Sequence, residues 1–116
     1  MKNTIPLKKN HEFQKVYSKG KYFVGKFMVL YILKNSYNIN RLGITVSKKV
    51  GKSVKRNRLR RLIKENYRAK ENMLIKGYDM VFVGRNTEVL PSFSEIKKEM
   101  TFLLKKLDMF NQESSN

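Results

Sequence analysis

Cysteine is absent from this chain of 116 residues, which removes disulfide cross-links and thiolate metal sites together. Histidine occurs once, at His11, so multi-histidine metal chemistry is excluded and a Ser–His pair could form only there. No apolar run approaches the roughly 18 residues that a membrane-spanning helix requires. The N-terminal MKNTIPLKKN is basic but lacks the apolar stretch of a signal peptide. Acids are scarce: 9 Asp and Glu stand against 26 Lys and Arg. A secreted scaffold, a membrane protein and a zinc enzyme are all disfavoured, and a cytoplasmic protein is the expectation.

What is present is positive charge, +17 in all with a pI near 10.2. Residues 1–64 carry 18 of the basic residues and a single acid, Glu12, whereas residues 65–116 carry 8 basic residues and 8 acids. The whole excess therefore lies in the first 64 residues. Such self-repulsion is compensated most simply by a polyanionic partner. A hydrophobic fraction of 41% supports one modest core, and the length fits one domain spanning 1–116.

Residues 1–9 read as an extended basic segment. Asn10 is placed to cap a helix over about 10–19, in which Phe13, Val16 and Tyr17 share a stripe and Gly20 ends the run. Residues 27–34 are nearly all apolar and read as a strand, and Arg41–Ser47 reads as a second, with Leu42, Ile44 and Val46 on one face. The Asn-rich stretch 35–40 suggests a hairpin between them. Lys21–Gly25 reads as either a further strand or a loop.

From Val54 the 100° step puts Leu59, Leu62, Ile63, Asn66, Ala69 and Met73 on one side of a long helix. Asn57, Arg60, Arg61, Lys64 and Arg68 fall opposite, with Arg56 and Arg58 flanking. Lys52, Lys55, Arg56 and Arg58 sit at the helix's positive end, a misfit that a phosphate would relieve. Residues 78–84 form a third strand. Ser92 and Glu95 make a capping box for a last helix to about 109, and 111–116 reads as a frayed tail. The order is α, β, β, α, β, α, an α+β domain of about two layers.

Two constellations stand out. The first runs from Lys48 to Lys64, where basic residues interleave with a helical apolar stripe and few acids answer them. Arginine supplies planar, bidentate donors for phosphates, and Asn57 adds a donor and an acceptor for a base or a 2′-hydroxyl. The second is aromatic: Phe13, Tyr17, Phe27 and Tyr31 can share a surface near Lys15, Lys19 and Lys48, either as core or as a stacking groove for single strands. Gly51-Lys52-Ser53 resembles the end of a P-loop, but the required upstream glycine is Val46. No paired carboxylates mark an acid–base site, Asp79 reads as an ion-pair partner, and His11 as a surface or packing residue.

Phe13-Gln-Lys-Val16-Tyr17-Ser-Lys-Gly20, then Arg41-Leu-Gly43-Ile-Thr-Val46-Ser-Lys48-Lys49-Val-Gly51-Lys-Ser-Val54-Lys-Arg56-Asn57-Arg58-Leu-Arg60-Arg61-Leu62-Ile-Lys-Glu65, and Tyr78-Asp79-Met-Val-Phe-Val, resemble the protein component of bacterial ribonuclease P. The resemblance runs from about residue 8 to residue 107, with Ser53 where the family has Ala. It implies a ribonucleoprotein in which a large RNA, using magnesium held mainly by that RNA, cuts the 5′ leader from precursor tRNA. The protein would have no active site and no obligate protein partner. It implies that Arg56, Asn57, Arg58, Arg60, Arg61, Lys64 and Arg68 bind the catalytic RNA. Phe13, Tyr17 and Tyr31, with Lys48 and Lys49, would bind the leader. The implied fold is a central mixed sheet with packed helices, like the second domain of ribosomal protein S5, with a left-handed β-α-β crossover. A ribosomal or other structural RNA-binding protein, a helix-turn-helix DNA binder and a free-standing nuclease are the alternatives.

Overall fold

The computed structural model describes Met1 and residues 3–112. In chain order the strands and α-helices are β1 (Thr4–Pro6), α1 (Asn10–Lys19), β2 (Lys21–Val24), β3 (Met28–Lys34), β4 (Asn40–Val46), α2 (Ser53–Lys70), β5 (Tyr78–Gly84) and α3 (Phe93–Lys106). The strands form one mixed sheet in the order β1-β4-β5-β3-β2. β4 runs parallel to β1 and β5, whereas β3 runs antiparallel to β5 and β2.

The expected hairpin between β3 and β4 does not form. β5 lies between them, pairing Leu30 with Phe82 on one side and Ile44 with Phe82 on the other. Four consecutive β5 residues, Asp79 to Phe82, are buried. A strand apolar on both faces needs cover above and below, which the middle of a sheet provides. β4 then reaches β5 through α2, a parallel β-α-β connection.

Alternation along the strands sorts the core into two parts. Met28, Leu30, Ile32, Leu42, Val46, Met80 and Phe82 pack against α2 and α3, with Leu59, Ile63, Tyr67, Ile96, Met100, Leu103 and Leu104. On the other face Val81, Val16 and Leu7 are buried, with Phe13, Tyr17, Tyr31, Leu33 and Val83 partly so. α1 therefore adds a third layer where the sequence suggested two. Residues 21–24 are a strand, and Thr4–Pro6 extend the opposite edge.

The helices begin as local chemistry dictates, with one shift. The first helical residue is Asn10 itself, and the Glu12 carboxylate accepts the Lys9 N–H at 3.1 Å, so the cap falls one residue earlier than expected. Ser92 and Glu95 form the expected reciprocal box, with N–H to oxygen distances of 3.1 and 3.0 Å. In α2 the buried stripe is Leu59, Ile63, Asn66, Tyr67 and Lys70; Leu62 is half-buried, Ala69 is exposed, and Met73 has passed into a short 3-10 turn. The rotation follows from β1: Thr4 shares a 2.9 Å hydroxyl–hydroxyl hydrogen bond with Tyr67, drawing that flank of the helix over the added strand. Near the C-terminus the Asn111 N–H donates to the Met73 carbonyl at 2.8 Å, so the chain is held at the first residue of the expected tail. Residues 113–116 lie outside the described residues.

Candidate nucleic-acid interface

α2 presents its charge outward because its leucines, isoleucine and tyrosine are spent on the sheet. Asn57, Arg58, Arg61, Lys64 and Arg68 are exposed, and Arg56 and Arg60 are half-buried. Among the described residues the ion pairs both belong to Arg41, so no arginine of α2 is held by a carboxylate of the chain. Arg60 donates to the Asn57 side-chain oxygen at 3.1 Å, orienting that amide beside a guanidinium. The Arg56 Nε is buried without a hydrogen-bond partner, a donor already stripped of water. The first turn of α2 contains no acid and no side-chain cap, and Lys55 there donates to the Thr87 carbonyl at 2.9 Å. The expected misfit between the helix dipole and its basic first turn is thus present.

The second surface lies on the opposite face of the sheet, beside α1. Phe13 and Tyr17 project from successive turns of that helix, their rings 6.4 Å apart. Tyr17 meets Tyr31 of β3 edge-on at 5.0 Å, and its hydroxyl shares a 3.3 Å hydrogen bond with Thr45 of β4. Tyr31 is half-buried and packs 5.4 Å from Tyr22 of β2, which is 59% exposed. The rings form a continuous row from helix to sheet edge, partly core and partly open. Phe27 does not join it: its side chain is buried in the main core on the other face. Tyr22 takes that place. The sequence alone leaves 21–25 between strand and loop, so it assigns Tyr22 to no face. Once β2 is a strand paired with β3, Tyr22 falls directly opposite Tyr31.

Arg41 closes one end of this face. Its guanidinium donates to both Asp79 oxygens, at 2.8 and 2.7 Å, and to Glu12 of α1, and it lies 4.9 Å over the Tyr37 ring. Hydrogen bonding to Asp79 above all holds the Arg41 guanidinium more firmly protonated than usual. The Lys9 backbone N–H, and then Arg41, hold the Glu12 carboxyl below its ordinary range. These carboxylates are neutralised at the groove's end, and no ion pair among the described residues answers the lysines around it. Lys48 and Lys49 sit exposed in a short 3-10 turn between β4 and α2. They follow Thr45 closely in sequence, but no hydrogen bond or ring contact ties either to the aromatic row among the described residues. His11 is exposed at the start of α1.

A mixed-sheet α+β chain with an unpaired cationic helix on one side and an aromatic row on the other belongs to the class of RNA-binding proteins. The family model described as Ribonuclease P matches residues 1–108, and the chain belongs to that family. It is 50% identical over 111 residues to the ribonuclease P protein component of Alkaliphilus oremlandii, covering 96% of this chain and 97% of that one. Among solved structures it resembles the RNase P protein of Staphylococcus aureus, with a TM-score of 0.83 and 32% identity over 91% of this chain and 97% of that one. The RNase P protein from Thermotoga maritima gives a TM-score of 0.77 and 29% identity, covering 87% and 96%. Family membership favours the protein component of ribonuclease P over a ribosomal or other structural RNA-binding protein.

Proposed function

We propose that the chain binds the catalytic RNA of ribonuclease P through α2 and the single-stranded 5′ leader of precursor tRNA through the groove beside α1, in the cytoplasm. The RNA performs the hydrolysis and the protein extends its substrate-binding surface. The observation that carries this reading is the freedom of the α2 arginines from every carboxylate among the described residues. Arg56, Asn57, Arg58, Arg60, Arg61, Lys64 and Arg68 would neutralise phosphates of the RNA scaffold and release its counterions. Phe13, Tyr17, Tyr31 and Tyr22 would stack on leader bases, and Lys48 and Lys49 would lie near the leader's phosphates, whose charge RNA alone would repel.

Magnesium belongs to the RNA in this reading. Among the described residues no three His, Asp or Glu side chains come together, and the carboxylates nearest the groove, Glu12 and Asp79, are engaged by Arg41. The test adds the chain to the catalytic RNA at low magnesium with precursor tRNA as substrate. Cleavage at the mature 5′ end should rise; no increase would return the chain to a structural RNA-binding role.

A further inference from the structure

The edge of the sheet next to α2 holds a concavity whose rim shares cations with the α2 surface but whose apolar floor neither surface above uses. β1 is the outermost strand, and between it and α2 lies a cavity of about 350 Å³. Leu42 and Ile44 of β4 contribute to it, with Thr4–Pro6 on one side and Arg60, Lys64 and Arg68 on the other. These cations recur every four residues, so they form one stripe with a rise of roughly 6 Å between successive members. Among the described residues no carboxylate lines the cavity. The Thr4–Tyr67 hydrogen bond pins β1 to α2, and Pro6, two residues on and on the same face, stays exposed.

We propose that this cavity receives one unstacked nucleotide of the catalytic RNA. Its base would lie against Leu42, Ile44 and Pro6, which pairs with Leu42 and shares its face of the sheet, and its flanking phosphates would reach Arg60, Lys64 and Arg68. The inference rests on α2 being the RNA-binding helix and adds what that helix recognises: an extruded base beside the backbone. A continuous duplex offers this hollow only a convex phosphate ridge and leaves its apolar part wet. An unstacked base offers a flat face to the apolar part and charge to the rim. An acidic peptide could pair with the free edge of β1, but it would run along the outside of that strand and leave the hollow unfilled.

The experiment probes the assembled complex of catalytic RNA and full chain. Dimethyl sulfate reads the bases, and hydroxyl radicals read the backbone. Within the backbone footprint, an unpaired adenine or cytosine should lose its reactivity on binding the wild-type chain. Pro6→Ser and Ile44→Ser should restore that reactivity, and weaken RNA binding by about fivefold, while the backbone footprint persists at saturating protein. Pro6 is the safer variant because it is exposed; circular dichroism checks the fold of Ile44→Ser. The proposal is overturned if no base inside the footprint is protected, or if protection survives both substitutions. A wild-type chain that leaves no backbone footprint overturns both this proposal and the assignment of α2 to the RNA.

Discussion

Single residues set the shape of the groove. Gly43 of β4 lies beneath the Phe13 ring, and a β-carbon there would overlap the ring's edge. Phe13 can cross the sheet only because that position carries no side chain. Gly43→Ala should therefore displace Phe13 and the turn of α1 that bears it. We expect a loss of about 1–3 kcal/mol in urea unfolding, with weakened binding of leader-bearing substrate. Lys70 shows the opposite economy. It is 5% exposed, and no carboxylate pairs with it among the described residues. Burial first, and Lys97 second, push its ammonium below the ordinary lysine range. The unfolded chain thus holds that proton more tightly, so protonation at neutral pH works against folding and stability is recovered as pH climbs toward 10.5. Lys70→Met should be more stable than wild type at pH 7, on the order of 1 kcal/mol. That gap should narrow as pH rises; a gap independent of pH would assign the effect to packing alone.

At the scale of elements, the connection between β2 and β3 depends on a distant side chain. Glu99 of α3 accepts the backbone N–H groups of Lys26, Phe27 and Met28, the latter two at 2.9 and 2.8 Å from the same oxygen. Gly25 permits this approach, since a β-carbon would run into the carboxylate. α3 and the β2–β3 pair are thereby joined through a charged acceptor. Glu99→Gln replaces one accepting oxygen with a donor and should cost about 1.5–3 kcal/mol. Amide hydrogen exchange at Phe27 and Met28 should accelerate more than at Val81 in the sheet's centre.

The same scale explains which features the sequence disclosed. α1, α2 and α3 were legible because caps and apolar spacing are local signals, and β3, β4 and β5 because their apolar runs are short and bounded. The neighbours of each strand were less visible. The Asn-rich segment 35–40 suggested a hairpin, yet the informative signal lay in the unbroken run Met80-Val81-Phe82-Val83, which demands cover on both faces and hence a central position. Arg41 was equally hidden: among 18 basic residues in the first 64, nothing local marks the one that meets Asp79, Glu12 and Tyr37. The aromatic row was half legible, Phe13 and Tyr17 from helix spacing, Tyr22 only once strand pairing was known.

At the scale of the whole molecule, the sheet separates two surfaces with different chemistry. α2 and its cations lie on one side, and α1 with the aromatic row lies on the other. Five strands of packed backbone stand between them, so a substitution in either can act without repacking the other, and their effects should add. Arg60→Ala with Arg61→Ala removes two cations that no carboxylate holds among the described residues. It should weaken assembly with the catalytic RNA and flatten the logarithmic salt dependence by roughly one for each phosphate no longer neutralised. Tyr17→Ala should leave that salt slope unchanged and act on the proposed leader groove instead. Loss of a stacking face should weaken substrates that carry a leader by about 1–3 kcal/mol and spare mature tRNA, which has none. Both variants can be measured in the assembled ribonucleoprotein by titrating each tRNA form across a range of salt. Equal losses for precursor and mature tRNA in Tyr17→Ala would mean that Tyr17 supports the sheet rather than the leader, and would move the groove's role to Tyr22 and Tyr31 at the open edge.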